Sequence, residues 1–455
     1  MERRFAVLLI CLGMVPVDVV AQDTRTSPPL NATSVNARDS INSQTPFADV
    51  RAYGARVDGV TDDTKAICAT AYTAAAASSG ALFIPNTGHF ALLSGSGCSF
   101  NRRTRVICQP GAGFVVHSRS GPAFVFGNDA STEWFPGGMD GCILQNTGGG
   151  TFATNTSVGL QIGSGTSQGQ NMIFERNTIA GFGTGITFAG NGNAFADTFR
   201  NNAIFQNLCN GIYFSYTSGS GAEHLLFDEN RVFQNGNGGG ICTNINVAPG
   251  SHAEFWWNGG IIDNGGNHGL GEVYVPANSQ LIARFIAVHS ENSGGNTVGG
   301  PRPFLNCLAA APKLCDVSIV ASDILSNASV PSTYPLFRIR SGKLSLSGGT
   351  RLVFGIVGAA TTPMVELGDG AHNEPISFSS FGTTFECIDG NLKNCRYAET
   401  GAGETKVNYF VAGSMARGST ASPPASFGTN VGTEDLSRTA PSGGNQIGPG
   451  SSKPN

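Results

Sequence analysis

The chain has 455 residues, 63 of them glycine, with 40% hydrophobic and only 13% charged residues and a formal net charge of −4. That is too apolar for a disordered chain and too glycine-rich for a helical one, and there is no basic footprint for nucleic acid. Many short strands joined by tight turns fit these totals.

In chain order, Glu2, Arg3 and Arg4 precede an apolar run from Phe5 to Val20, and Val19-Val20-Ala21 has the small-residue character of a cleavage site. Residues 1–21 therefore read as a secretory signal, and a secreted or periplasmic location is expected. The run is short for a spanning helix, and no later stretch is long and apolar enough to cross a bilayer. Cys11 would leave with the signal. Ten of the 11 cysteines then remain, an even number that suits a disulfide set. Cys307 with Cys315, Cys387 with Cys395 and Cys98 with Cys108 are the close candidates. Metal binding is the rival reading, but no paired C-x-x-C spacing supports it.

Residues 22–46 are rich in Ser, Thr, Asn and Pro and read as a disordered linker, and residues 414–455 read as a disordered tail of similar kind. Between them, 47–413 is expected to form one domain. Its first element is a helix with Thr61 or Asp62 as N-cap, running through Ala66, Ile67, Ala69 and Tyr72 and stopping near Ser78-Ser79-Gly80. From Ala81-Leu82-Phe83-Ile84 onward the sequence is strand-like almost to the tail.

The decisive pattern lies in the centre. Phe174-Glu175-Arg176-Asn177 is followed by Phe199-Arg200-Asn201-Asn202 and Phe227-Asp228-Glu229-Asn230, with Trp256-Trp257-Asn258-Gly259 as a degenerate fourth copy. Ile179, Ile204, Val232 and Ile261 follow two residues after the Asn position, and Asn207, Asn235 and Asn264 three residues further in the later copies. Each copy then has a glycine before an aliphatic residue: Gly185-Ile186, Gly211-Ile212, Gly240-Ile241 and Gly269-Leu270. The steps between Asn positions are 25, 28 and 29 residues. Such a period predicts one solenoid coil per copy, with short strands stacked at about 4.8 Å on the next coil. Phe and Ile would stack inside, and the Asn amides would bond to the coils above and below. Leucine-rich and propeller repeats are alternatives whose signatures are absent.

The stretch Tyr53-Gly54-Ala55-Arg56-Val57-Asp58-Gly59-Val60-Thr61-Asp62-Asp63-Thr64-Lys65-Ala66-Ile67, with Leu82-Phe83-Ile84-Pro85 behind it, closely resembles the opening of the rhamnogalacturonase/epimerase-like pectate lyase domain. Val57 stands where that family usually has Gly. The resemblance implies an all-β, right-handed parallel β-helix of the pectin lyase-like kind, capped by an N-terminal helix, with a polysaccharide as partner. It implies no particular reaction, because the family holds lyases, hydrolases, epimerases, phage tail spikes and proteins without known activity. Asp62 and Asp63 look like a catalytic pair in isolation, but their place at a helix start makes them caps.

Function is sought in the coils. Polygalacturonase, alginate-epimerase and common pectate-lyase motifs are missing; Asn267-His268-Gly269 is a faint echo of a histidine step. Alternation along the strands turns Glu175, Arg200, Asp228 and Trp257 outward as one column. Glu175 and Asp228 would lie roughly 10 Å apart, near the upper end of the spacing for an inverting pair of carboxyl groups. They are the candidate catalytic residues, with Arg200 to hold a sugar carboxylate and Trp257 to stack on a sugar ring. The bland alternative is a solvated face with alternating charges. A second cluster gathers Glu254, Trp256, Asp263, His268, Glu272, His289 and Glu291, of which Asp263, His268 and His289 are candidate substrate-binding residues. No metal spacing is present and no cofactor is implied, although surface carboxylates could hold calcium. The leading expectation is a lyase or hydrolase acting on an acidic, pectin-like polysaccharide. The alternative is a non-catalytic carbohydrate-binding or structural β-helix.

Overall fold

The structure, a computed structural model, describes residues 47–417 except for short internal stretches, the longest being 128–136, 294–302 and 389–397, together with Ser437–Thr439 and Asn445–Ile447. The expected signal and linker lie outside the described residues. Among those described, no helix is long and apolar enough to cross a membrane.

Each coil contributes one strand to each of three sheets. In the coil that opens with the first full Phe-Asn-Ile copy these are Ile173–Glu175, Thr178–Ala180 and Thr184–Gly190, here called the first, second and third sheets. The sheets hold 14, 14 and 11 strands among the described residues, and every pairing is parallel until the C-terminal end of the second sheet. This is the expected parallel β-helix. Its interior is a set of ladders. On the first sheet Phe174, Phe199, Phe227 and Trp257 stack with ring centroids 4.9–5.0 Å apart. On the second sheet Ile179, Ile204, Val232 and Ile262 lie in register, and on the third Ile186, Ile212, Ile245 and Val273 do the same.

The expected fourth copy is displaced by one residue. Trp257, not Trp256, occupies the Phe position, Gly260 the Asn position and Ile262 the aliphatic position. Gly259 and Gly260 both take left-handed φ values (64° and 73°), so the paired glycines offered two placements and the sequence could not choose. The last repeat feature is displaced more: Ile245 rather than Ile241 pairs with Ile212, and Ile241 is exposed.

At the corner between the first and second sheets the buried Asn side chains bond to one another. Asn202 Oδ1 accepts from the backbone N–H and the Nδ2 of Asn177, both at 3.0 Å, and Asn202 Nδ2 donates to Asn230 Oδ1 and to the Phe174 carbonyl. One residue earlier, Arg176, Asn201 and Glu229 adopt left-handed φ of 53–55°, which turns the chain sharply. Later coils use hydroxyls for the same purpose: Ser322 accepts from Val288 N–H and Thr350 from Ser322 N–H. The series carries on to Ser414, which accepts from Thr383 N–H. Ser414–Arg417, counted with the tail from the sequence, therefore continues the second sheet, and the expected boundary at 413 falls short. Small polar corner residues made that stretch look like tail.

At the other end, Ala66–Ala71 and Tyr72–Ala77 form the expected cap helix, with Ile67, Ala71 and Ala75 buried against the first coils. Asp62 accepts from Thr64 N–H, and hydrogen bonds from Ser94 and Thr64 hold its carboxyl down at about 2. Asp63 accepts from the backbone N–H groups of Arg56 and Val57. Both act as caps. Val57 is fully buried at φ 52°, a backbone region that suits glycine and strains a β-branched residue, which accounts for the family's usual choice there.

Four disulfides join Cys68–Cys98, Cys108–Cys142, Cys209–Cys242 and Cys307–Cys315. Only the last was among the close candidates. The expected Cys98–Cys108 pairing is replaced: Cys98 bonds to Cys68 of the cap helix, 30 residues before it, while Cys108–Cys142 and Cys209–Cys242 span 34 and 33 residues, about one coil, and so join neighbouring coils. The candidate pair Cys387–Cys395 lies outside the described residues. Asn155 belongs to a glycosylation sequon, but its side chain is buried and donates to the Gly149 carbonyl.

The corner amides are expected to carry measurable stability. Asn202→Ala leaves two buried Asn177 donors without an acceptor and should cost about 3 kcal/mol, whereas the exposed corner variant Gln206→Ala should change stability by less than about 0.5 kcal/mol. Urea unfolding followed by circular dichroism checks this. Equal midpoints for the two variants would contradict the role given to the ladder.

Candidate functional site

The outward column on the first sheet exists. Glu175, Arg200 and Asp228 are direct neighbours on three successive coils. Each carboxylate, however, already has a cationic partner. Arg105 Nη2 reaches Glu175 at 2.8 Å and Asp140 at 3.2 Å, Arg176 reaches Asp140 at 2.6 Å, and Arg200 Nε donates to Asp228 at 3.0 Å. This is the alternating-charge face named as the bland alternative, and Arg200 spends its charge on Asp228. Trp257 leaves the column altogether. It is fully buried, stacks on Phe227 and donates its indole N–H to the Gly259 carbonyl, so it cannot meet a sugar ring. The one-residue displacement of the fourth copy is the cause, and Asn258 stands opposite Asp228 instead.

The second cluster divides between two faces. Glu254 and Trp256 project from the first sheet, while Asp263 and His289 sit on strands of the second. His289 lies 3.8 Å from Asp323. Glu272 is buried and accepts from the backbone N–H of Gly265 and from Asn244, a structural duty. His268 lies outside the described residues. Asp263 differs from the other carboxyl groups. Burial pushes it up to about 6, and Glu291 on the next coil adds to the effect, against a hydrogen bond from Asn264. One of its oxygens is buried without a hydrogen-bond partner. On the preceding coils the same row carries Phe205 and Phe233, stacked 5.0 Å apart.

A cavity lies elsewhere, on the outer face of the third sheet. Its volume is about 440 Å³. Thr187, Tyr213, Asn246 and Tyr274 stand in one outward row along its floor, one per coil, and Ile241, Pro249 and Pro276 wall it. Tyr213 and Tyr274 are two coils apart, about 10 Å by strand spacing. Burial pushes both phenols up, so each is a neutral O–H group at ordinary pH. Asn246 Nδ2 donates to Asn210 Oδ1 and to the Ile241 carbonyl. The Thr187 hydroxyl is buried without a partner. None of the described lining residues is Asp, Glu, His, Lys or Arg. Tyr213, Tyr274 and Thr187 were missed in the sequence. The available signal was their place immediately after an inward residue, as in Ile186-Thr187 and Ile212-Tyr213.

Three parallel sheets wound coil on coil, an asparagine-lined corner and a helix closing the first coil define a parallel β-helix. No protein-family model and no curated protein matches the chain. Among solved structures the fold is similar to the Dettilon tailspike protein, with a TM-score of 0.52 at 13% identity over 81% of this chain and 69% of that one. Similarity extends to the A-module of the Azotobacter vinelandii mannuronan C-5 epimerase (TM-score 0.47, 15% identity, 82% and 97% of the two chains). A surface adhesin of Streptococcus pneumoniae, PfbA, gives a TM-score of 0.41 at 12% identity over 88% and 98%.

The two neighbouring tryptophans should separate cleanly. Trp257→Ala opens the core ladder and should cost about 3–5 kcal/mol, while Trp256→Ala should cost under about 1 kcal/mol, both read from urea midpoints.

Asp263 should show in the pH dependence of stability. Its folded value of about 6 exceeds the ordinary aspartate value of 3.8, so between about pH 4 and pH 6 the folded state binds more protons than the unfolded. Stability from this group is present below pH 4 and is lost as pH rises through 6. After allowance for partial exposure the effect is about 1 kcal/mol. Asp263→Asn should therefore stabilise the protein at pH 7–8 and flatten the slope between pH 4 and 6. An unaltered slope would remove the case for a raised carboxyl.

Proposed function

We propose that the protein is an exported carbohydrate-binding β-helix that holds a short run of a polysaccharide in the groove of the third sheet. The observation that carries this reading is the row Thr187, Tyr213, Asn246 and Tyr274 along the floor of that groove. Aromatic rings offer apolar faces to the C–H side of a pyranose, and amide and hydroxyl groups meet its hydroxyls. Two tyrosines separated by two coils suit contacts to more than one sugar unit. The described lining favours neutral units over the uronate units expected from the sequence, since none of those residues offers a cation to a carboxylate. Export is supported by two disulfides that staple adjacent coils and a third that ties the cap helix to them, bonds that persist in oxidising compartments.

A hydrolytic reading has one observation in its favour, Asp263. A carboxyl group held at about 6 is suited to donate a proton to a leaving oxygen near neutral pH. It would act on the second sheet, apart from the groove.

Calorimetric titration with neutral and uronic-acid oligosaccharides tests the first reading. A neutral oligosaccharide should bind, and Tyr213→Ala and Tyr274→Ala should each weaken it about tenfold, in line with the loss of one aromatic contact and its packing. Wild-type affinity in both variants would sink the groove assignment. In parallel, new reducing ends that disappear in Asp263→Asn would establish hydrolysis, rising absorbance from unsaturated ends would establish a lyase, and release of neither would leave binding alone.

A further inference from the structure

The first sheet carries an irregularity that the groove does not explain. Strand Gly221–Asp228 pairs with both Ala194–Phe195 and Thr198–Arg200 of the coil before it. Against His252–Asn258 its register shifts between Ala222 and Leu225, so Glu223 and His224 together face the single residue Glu254. His224 takes a left-handed φ of 56° at this bulge, as do Ala196 (56°) and Asn171 (55°) on the two preceding coils. The bulges are stacked: Asn171 N–H donates to the Phe195 carbonyl and Ala196 N–H to the Glu223 carbonyl. A bulge maintained through three coils re-aims the side chains at its edge, and left-handed non-glycine residues are retained where the surroundings hold them.

What the bulge aims outward is a row of rings. Phe195 and His224 have centroids 5.2 Å apart, and His224 and Trp256 5.4 Å, with planes tilted by 50° and 54°. Tilted rings leave part of each face open, unlike the flat stacks inside the helix. Polar groups of both signs frame the row. His224 Nε2 lies 3.7 Å from Glu254 Oε1, and Trp256 stands beside Arg284 on the next coil. His252, on the same strand as Glu254 and Trp256, is influenced by both Glu223 and Glu254, and its Nε2 is buried without a partner. Carboxylate acceptors on one side, a guanidinium donor on the other and aromatic surface between them are the complement of a polyol ring. A uronate would meet Glu223 and Glu254 unfavourably.

We propose that Phe195, His224 and Trp256, with Glu254 and Arg284, form a second saccharide-binding site on the first sheet, selective for neutral sugar units. It does not depend on the groove of the third sheet. Trp256 supplies apolar surface, Glu254 accepts from sugar hydroxyls and Arg284 donates to them.

The indole N–H resonances of protein labelled with ¹⁵N-tryptophan test it. Trp257, whose N–H is bonded inside the core, serves as internal reference. Cellotriose, maltotriose and mannotriose are the neutral probes, and trigalacturonate the acidic one. At least one neutral trisaccharide should shift the Trp256 signal and leave Trp257 in place, with trigalacturonate binding at least about tenfold more weakly. Glu254→Gln should weaken the response about three- to tenfold, the scale of one charge-assisted hydrogen bond. Tyr213→Ala should leave it unchanged. A Trp256 signal unmoved by all three neutral probes overturns the site, and so does a shift that vanishes with Tyr213→Ala. Loss of groove binding in Tyr213→Ala with the Trp256 shift retained supports two sites; no groove binding in the wild type together with a Trp256 shift overturns the groove alone.

Discussion

At the corner between the first and second sheets the chain turns sharply within two residues while its amides are buried, and those amides must find partners. Asparagine solves this with a short side chain whose one oxygen accepts two hydrogen bonds from the coil before it and whose NH₂ reaches both the coil before and the coil after. The backbone bond needs the neighbouring coil's N–H at the same height, as when Cys142 N–H donates to Asn177 Oδ1, and the side-chain bond needs a second asparagine there. Register is thereby set coil by coil, which a flat hydrophobic ladder alone would leave open to slippage. The same demand explains why Ser322, Thr350 and Ser414 can take over: a single accepting oxygen at that point suffices.

Once register is set, every outward position becomes a row along the helix, and the rows differ because their faces have different neighbours. On the first sheet the row through Glu175, Arg200 and Asp228 alternates in sign, which relieves the repulsion that stacked like charges would suffer. On the second sheet the row Phe205, Phe233, Asp263 passes from aromatic to acidic, and the acid is partly desolvated. On the third sheet the row through Tyr213 and Tyr274 is free of charge in the cavity. The fold supplies surfaces of three characters from a single interior.

The parts of this that could be read in the sequence are those with strict repetition. Phe174, Phe199 and Phe227, with Asn177, Asn202 and Asn230, announced the coil, its corner and its inward face, and the Tyr53–Ile67 stretch announced the cap. Reading failed where two residues competed for one position. Gly259 and Gly260 both fit the corner, and choosing the first put the buried Trp257, rather than Trp256, in the outward column as a sugar platform. It failed also where contact runs across coils rather than along the chain. Tyr213 and Tyr274 are distant in sequence and share no motif, and Cys98 and Cys108, near each other in the chain, bond instead to the cap helix and to the next coil. The burial that lifts Asp263 is invisible in a string of letters, since the carboxylates of Glu175 and Asp228 find cations instead.

The groove gains its definition from the way its rim is tied down. Ile241 is one of the more exposed apolar side chains among the described residues, at 63%, and its segment would be free to move if it were held by the chain alone. It is not. The adjacent Cys242 is bonded to Cys209 of the coil before, Thr243 N–H donates to Asn210 Oδ1, and the Ile241 carbonyl accepts from Asn246 on the floor of the cavity. Ordering a loop on binding costs free energy that then has to be recovered from contacts. A rim fixed in advance by a covalent bond and two hydrogen bonds avoids much of that cost, so that weak stacking on Tyr213 and Tyr274 can suffice for useful affinity. On the proposed reading, the disulfide between Cys209 and Cys242 would serve recognition as well as stability, because it fixes the exposed wall beside the two tyrosines.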